Sequence, residues 1–251
     1  MKLPVGKTYN FFIDDNIFFF SDIFRDDPAS LFDHFYLNSL RKVYEKYGTV
    51  FCCNCFFHNY HTPEFDLTHF PDKYRHEFEE NSNWLKFAFH AYSETPKRPY
   101  SEAHPEKLEA HYVLWEQEMR RIAGESSLIA PVIVHYFDTL PDGRRFLRDR
   151  GMKINAVRLD GTMAYSSQFD QIEMPVDIFL NHYYGDIDKM KEVIRQKIAA
   201  GQQSMLIGTH EQHAYSYYRY YIPEFFAGVD AVCQELHAAG YESVFYSETV
   251  K

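Results

Sequence analysis

The sequence has no basic surplus, no long apolar run, few cysteines and no glycine-rich phosphate loop, and each shortage removes a class of function. Its 251 residues carry 26 Lys and Arg against 36 Asp and Glu, a net charge of −10. Nucleic acid and anionic membrane surfaces both require a basic footprint, so neither is an expected partner. No window approaches the roughly 18 consecutive apolar residues of a membrane span. The opening stretch MKLPVGKTYNFFIDDN has no apolar signal-peptide core, so the expected compartment is the cytoplasm. Four cysteines do not make a disulfide scaffold in a chain of this size. Cys52, Cys53 and Cys55 crowd one apparent strand and Cys233 lies in a helical pattern, which reads as buried thiols. A strand points Cys53 and Cys55 to one face, but no nearby partners complete a metal site. Neither GxGxxG nor GxxxxGKS/T follows any strand, which excludes a loop that cradles a nucleotide phosphate.

What the chain does have is aromatic rings and a regular alternation. With 23 Phe and 20 Tyr, there are more rings than a plain core uses, and some are expected to line a groove. A chain of this length buries about 70% of its unfolded surface and needs no disulfide or metal staple. Short apolar runs alternate with segments of helical spacing. The expected strands are Tyr9–Asp14, Thr49–Phe57, Leu85–His90, Ala130–Phe137, Ile154–Leu159, Val176–Asn181, Ser204–Gly208 and Ser243–Tyr246. Helical spacing fills Ser30–Tyr47, Glu106–Ala123, the stretch after Phe137 to Asp149, Asp188–Ala200 and Pro223–Ala239, with Gly48, Gly124, Gly151, Gly201 and Gly240 as stops. Strands alternating with helices imply parallel strands joined by right-handed crossovers. Seven or eight such units suit an α/β fold of the distorted (β/α) barrel type. No repeat, low-complexity tract or linker interrupts the chain, so one domain over residues 1–251 is expected.

In such barrels the chemistry lies at the C-terminal ends of the strands. The residues that end the successive runs are Asp14 and Asp15, His58, His90, His135, Asp160, His182, and His210 with Glu211. Thirteen His scattered over 251 residues would place very few at these positions. Singly, each has an ordinary reading as a capped turn or a hydrogen-bonded loop residue; jointly they mark one rim. Imidazoles plus a carboxylate with open positions describe a catalytic site for one divalent cation, zinc first, with nickel, cobalt or manganese as alternatives. Water bound there becomes a nucleophile near neutral pH. A second carboxylate can take its proton and a His opposite can protonate the leaving group. The competing chemistry is metal-free glycoside hydrolysis, which needs two carboxylates about 5 to 9.5 Å apart. Asp14 or Asp15 with Glu211 or Asp160 are the candidates for that pair.

At these residues the chain resembles the polysaccharide deacetylase family, carbohydrate esterase family four, over roughly residues 8 to 248. Phe12-Ile13-Asp14-Asp15-Asn16 is similar to its opening motif, although Asn16 stands where the family has Gly. The resemblance implies Asp14 as catalytic base and Asp15 as metal ligand. Phe89-His90-Ala91-Tyr92-Ser93 is similar to the second motif and implies His90 as the next ligand. The family's following His would fall at position 94, which is Glu here, and His104-Pro105 comes only after an insertion. His104 is therefore the third-ligand candidate by resemblance and His135 the candidate by barrel geometry. His135-Tyr136-Phe137 stands where the family presents the Arg that orients its base, so that Arg is missing. MLIGTHEQ resembles the closing motif and implies His210 as general acid. Tyr92, Tyr136 and Glu211 are the candidates for substrate contact. The expected activity is metal-dependent removal of an N- or O-acetyl group from a carbohydrate. The alternative is a carbohydrate-binding barrel whose metal site has eroded.

Overall fold

The computed structural model describes residues 1–2, 6–157 and 162–250. Its centre is a parallel sheet of strands whose residues are buried on both faces, which is why they read as continuous apolar runs. The first strand, β1 (Thr8–Asn16), is buried at every position. It pairs in parallel with β2 (Phe51–Phe56), which pairs with β3 (Leu85–Ala91). On its other side β1 pairs with β8 (Ser204–His210), which in turn pairs with the two-residue β7 (Ile178–Phe179). The short β9 (Glu242–Ser243) also pairs with β1. A separate three-stranded sheet joins β4 (Ile154–Val157), β6 (Gln171–Pro175) and β5 (Ala164–Ser166), β5 being antiparallel.

No ladder of strands closes the ring among the described residues. Between β3 and β7 it is carried by single backbone bonds. The Ile129 N–H donates to the Phe87 carbonyl, Ala156 to Val132, and Val176 to Val157. The result is a distorted barrel in which the expected strand Ala130–Phe137 is an extended segment, ending in a tight turn at His135–Phe137. The expected strand Val176–Asn181 shortens to β7 and then winds into a turn of 3-10 helix over Leu180–Tyr183. Of Ser243–Tyr246, only Ser243 pairs, and Tyr246 opens the short helix α8 (Tyr246–Thr249). Strands β5 and β6 were not expected, although Ile172 and Met174 of β6 alternate with Gln171, Glu173 and Pro175.

Helices α2 (Phe35–Tyr47), α4 (Pro105–Ala123), α5 (Pro141–Asp149), α6 (Ile187–Ala199) and α7 (Phe225–Ala238) occupy the stretches with helical spacing. Besides α8, two helices were not expected, the short α3 (Arg75–Glu80) and α1 (Phe18–Asp26). The sequence of α1, FFFSDIFRD, continues the apolar run of β1 and has no side-chain cap of its own. Its free N-terminal donors are met from far along the chain. The Glu211 carboxylate accepts from the backbone N–H of Ile17 (2.6 Å), Phe18 (2.9 Å) and Phe19 (2.7 Å), and from the Tyr215 hydroxyl (2.9 Å). A carboxylate at that end also meets the positive pole of the helix.

Packing at the barrel centre is close enough to dictate one glycine. A Cβ at Gly208 would lie 2.5 Å from Phe12 Cζ and 2.8 Å from Phe179 Cε1. Those two rings meet edge to face at 5.7 Å over the glycine. The four cysteines are buried and free. Among the described residues no helix is long and apolar enough to cross a membrane.

Candidate metal centre and its pocket

Consecutive residues of a strand point to opposite faces, yet Asp14 and Asp15 both line one cavity of about 350 Å³. The backbone resolves this. The register between β1 and β2 shifts between Ile13 and Asn16, and Asp15 has a left-handed φ of 62°. This is a β-bulge, which re-aims a side chain at the end of a ladder. Asn16 holds it closed from inside. Its amide donates to the carbonyls of Ile13 and Asn54, and its Oδ1 accepts from the Tyr36 hydroxyl at 2.9 Å. A second register shift, between β2 and β3, falls beside His90. His135 sits in the tight turn whose next residues, Tyr136 and Phe137, both have φ of 63°. Backbone strain of this kind persists only where the surroundings enforce it, and it clusters at functional sites.

These three irregularities aim three ligand atoms at one point. Asp15 Oδ1 lies 3.2 Å from His90 Nε2 and 3.5 Å from His135 Nδ1, and the two imidazole nitrogens are 3.1 Å apart. All three residues are buried. Among the described residues this is the one group of His, Cys, Asp or Glu that can converge on a cation. Tetrahedral zinc with bonds of about 2.0–2.1 Å sets its ligand atoms about 3.3 Å apart, so the spacing fits. Two further observations agree. Asp15 Oδ1 is buried with no hydrogen bond of acceptable geometry. His135 Nε2 lies 3.2 Å from the Glu94 carbonyl oxygen, which can only accept, so Nε2 carries the proton and Nδ1 offers a lone pair.

Electrostatics separate the two aspartates. Burial alone would raise Asp15, but its contacts with His135 and His90 and the field of His210 outweigh it and hold the carboxyl well below its usual range. Asp14 is pushed well above that range by burial and by the charge of Asp15, against the pull of Asn54. Asn54 Nδ2 donates to Asp14 Oδ1 at 2.7 Å, a neutral donor on the base candidate for which the family resemblance expects an Arg. His210 is the register partner of Asp14 across β1 and β8. Its Nδ1–H donates to Asn181 Oδ1 at 3.0 Å, leaving Nε2 as the free nitrogen. Burial lowers His210 to about 4, and the imidazoles of His213, His90 and His182 add to this against the field of Asp15. It is therefore neutral at neutral pH.

The structure gathers Asp14, Asp15, His90, His135, His182 and His210 around one cavity and leaves other expected residues outside it. His104 is exposed at the start of α4, outside the ligand cluster. His58 is occupied by Ser93 and the Pro63 carbonyl. Tyr136 lines the cavity and is 41% exposed, with its ring edge-on to His135. Tyr92 instead stacks on His58 and Phe57, away from the cavity lining. Glu211 is fully buried, with both oxygens committed to α1 and Tyr215, so it is not free to contact substrate or to act in a carboxylate pair. Asp160 lies outside the described residues. Asn54 and Asn181 were not expected. Asn54 is a buried amide inside β2 and Asn181 one in the turn after β7, and only the fold shows which polar group each faces.

No family model and no curated protein matches the sequence. Solved structures do. The Bc1960 peptidoglycan N-acetylglucosamine deacetylase is 11% identical, with a TM-score of 0.58 over 98% of this chain and 90% of its own. A chitin deacetylase from the fungal pathogen Colletotrichum lindemuthianum is 10% identical, with a TM-score of 0.57 over 99% and 89%. BA3943, a pseudoenzyme of carbohydrate esterase family four from Bacillus anthracis, is 8% identical, with a TM-score of 0.52 over 99% and 66%. The chain thus has the polysaccharide deacetylase fold, and the resemblance seen in its motifs is a resemblance of architecture. Active enzymes and a pseudoenzyme share that fold, so function has to be argued from the site.

Proposed function

We propose that this protein is a metal-dependent hydrolase that removes an acetyl group from a carbohydrate. The observation that carries the reading is the convergence of Asp15 Oδ1, His90 Nε2 and His135 Nδ1 within 3.1 to 3.5 Å of one another, with Asp14 and His210 lining the same cavity. Asp15, His90 and His135 would hold the cation. A divalent ion in such a site polarises a carbonyl and makes water a nucleophile near pH 7. Zinc suits the two imidazoles and one carboxylate.

The protein's own residues then manage the protons. Asp14, steadied by Asn54, takes one proton from the attacking water. Amide cleavage also requires a proton on the departing nitrogen. His210 is neutral beforehand and tied at Nδ1 to Asn181, so it exchanges that proton only through Nε2. Because Asp14 and His210 are register partners on adjacent strands, the proton removed from water can reach the amine by way of His210. Tyr136, at the mouth, offers a ring face for a sugar.

The test is metal content per chain in protein purified without chelator or a metal-affinity column, followed by acetate release from acetylated saccharides. The expected result is about one divalent ion per chain, lost in Asp15→Ala and His90→Ala together with hydrolysis. If no ion binds even in excess zinc, nickel, cobalt or manganese, the mechanism fails and a saccharide-binding barrel takes its place.

A further inference from the structure

Beside the metal cavity lies a second one of about 690 Å³, and Glu94 and Tyr218 line both. The two therefore adjoin across a shared wall, and the larger one forms an open groove. Phe18 and Tyr217 stack in its wall at 5.5 Å, and Tyr217 is 60% exposed. Exposed rings grouped in a groove are uncommon on a surface that binds nothing.

The charges of this groove differ from those of the rest of the molecule. Its two carboxylates are already taken. Asp22 pairs with Arg25 at 2.8 Å and accepts from the Tyr217 hydroxyl. Glu94 pairs with His61 at 2.6 Å and accepts from Gln212 at 2.9 Å. Lys97 and Arg219 also line the groove, and among the described residues neither has a carboxylate within ion-pair distance. Arg219 lies over the Tyr220 ring, at 4.5 Å, and is otherwise uncommitted. Elsewhere cations are mostly paired, as in Lys46 with Asp230, Arg144 with Glu173, Arg195 with Glu235 and Lys197 with Asp177. In a chain with a net charge of −10, Arg25, Lys97 and Arg219 against Asp22 and Glu94 give this groove a local positive surplus.

We propose that the groove binds an anionic saccharide, with Lys97 and Arg219 receiving a carboxylate or phosphate group near the acetylated sugar held at the metal cavity. This rests on the proposed function for the position of the acetyl group; the charge preference stands on the groove itself. An arginine and a lysine suit either anion, the guanidinium as a fork and the ammonium as a point charge.

Calorimetric binding to the protein after incubation with excess zinc decides it. The carboxylate probe is a hyaluronan tetrasaccharide, against the same tetrasaccharide with its carboxylates methyl-esterified. The phosphate probe is N-acetylglucosamine 1-phosphate, against N-acetylglucosamine. The expected result is at least about tenfold tighter binding of one anionic probe than of its neutral counterpart, weakening as salt rises. That preference is expected to vanish in Lys97→Ala/Arg219→Ala with the neutral probe unaffected, and whichever pair shows it names the anion. Both side chains are exposed, so the double variant should keep its melting temperature. Equal binding of charged and neutral probes, no binding of any probe, or a preference that survives in the double variant overturns the inference. Metal content is measured in the same samples. A charge preference without metal uptake breaks the proposed function alone, whereas metal uptake and acetate release without a charge preference break this inference alone.

Discussion

The barrel has two unlike sides. On one side β1, β2, β3 and β8 run in long parallel ladders, with Thr8 to Asp14 of β1 in unbroken register with Ser204 to His210. On the other side, from Leu128 to Tyr184, the ring is held by single backbone bonds, a two-residue strand and turns with left-handed residues at Tyr136, Phe137 and Tyr184. The first side carries Asp14, Asp15, Asn54, His90 and His210; the second carries His135, Asn181 and His182. A cation held by Asp15, His90 and His135 would therefore join the two. The regular side fixes two members of the cluster by ladder and bulge, while the irregular side lets the third approach without having to fit a strand register.

The largest expected effect follows from that division. His90→Ala on the regular side and His135→Ala on the irregular side should each weaken metal binding at least about 100-fold, measured by metal content after dialysis. In the parent protein, saturation at 100 times the dissociation constant should add about 2.7 kcal/mol of stability. Amide exchange should slow most over residues 130–137 and 176–183. Equal slowing on both sides would show that the cation does not staple the loose half.

Acid should act next most strongly on the metal-free protein. His210 titrates at about 4 when folded against an ordinary value of 6.5, and His90, His182 and His213 are displaced in the same direction, each chiefly by burial. The folded state then binds fewer protons than the unfolded state between pH 6.5 and 4, so stability falls as pH falls through that window. The His210 share is up to ~3 kcal/mol. Denaturant midpoints for the parent and His210→Gln should converge toward pH 4, with the parent showing the steeper loss.

Two substitutions probe the regular side itself. Glu211→Gln leaves the N-terminal donors of α1 facing an amide N–H, with an expected cost of about 2–3 kcal/mol in urea unfolding. It should leave metal content unchanged, since Glu211 touches no ligand. Gly208→Ala forces a methyl group against Phe12 and Phe179 and should cost about 1–3 kcal/mol. At the small end, His104→Ala should change stability by less than about 0.5 kcal/mol and leave metal binding intact. Loss of metal in that variant would return His104 to the ligand set and break the assignment of His135.

How much of this was legible depends on which residues one asks about. Strands β1, β2, β3 and β8 were visible because a strand buried on both faces is an unbroken apolar run, and each ends in the Asp or His that its sequence displays. Helices α2, α4, α6 and α7 were visible from their spacing and their glycine stops. Helix α1 was not, because its first turn is capped by a carboxylate nearly two hundred residues away and its FFF reads as more strand. Glu211 was misread for the same reason. At the end of an apolar strand an acid looks like a rim residue until the fold shows it buried against helix donors.

The sequence by itself determined that acids and imidazoles would meet at one end of a parallel α/β barrel, since strand ends and side-chain types are local properties. Only the tertiary structure decided that Asp14 and Asp15 both reach the cavity, that His135 rather than His104 completes the cluster, and that Asn54 and Asn181 bond to Asp14 and His210. Each of these outcomes depends on distances of about 3 Å between segments far apart in the chain. Such distances are set by bulges, left-handed turns and ring packing that no local pattern encodes.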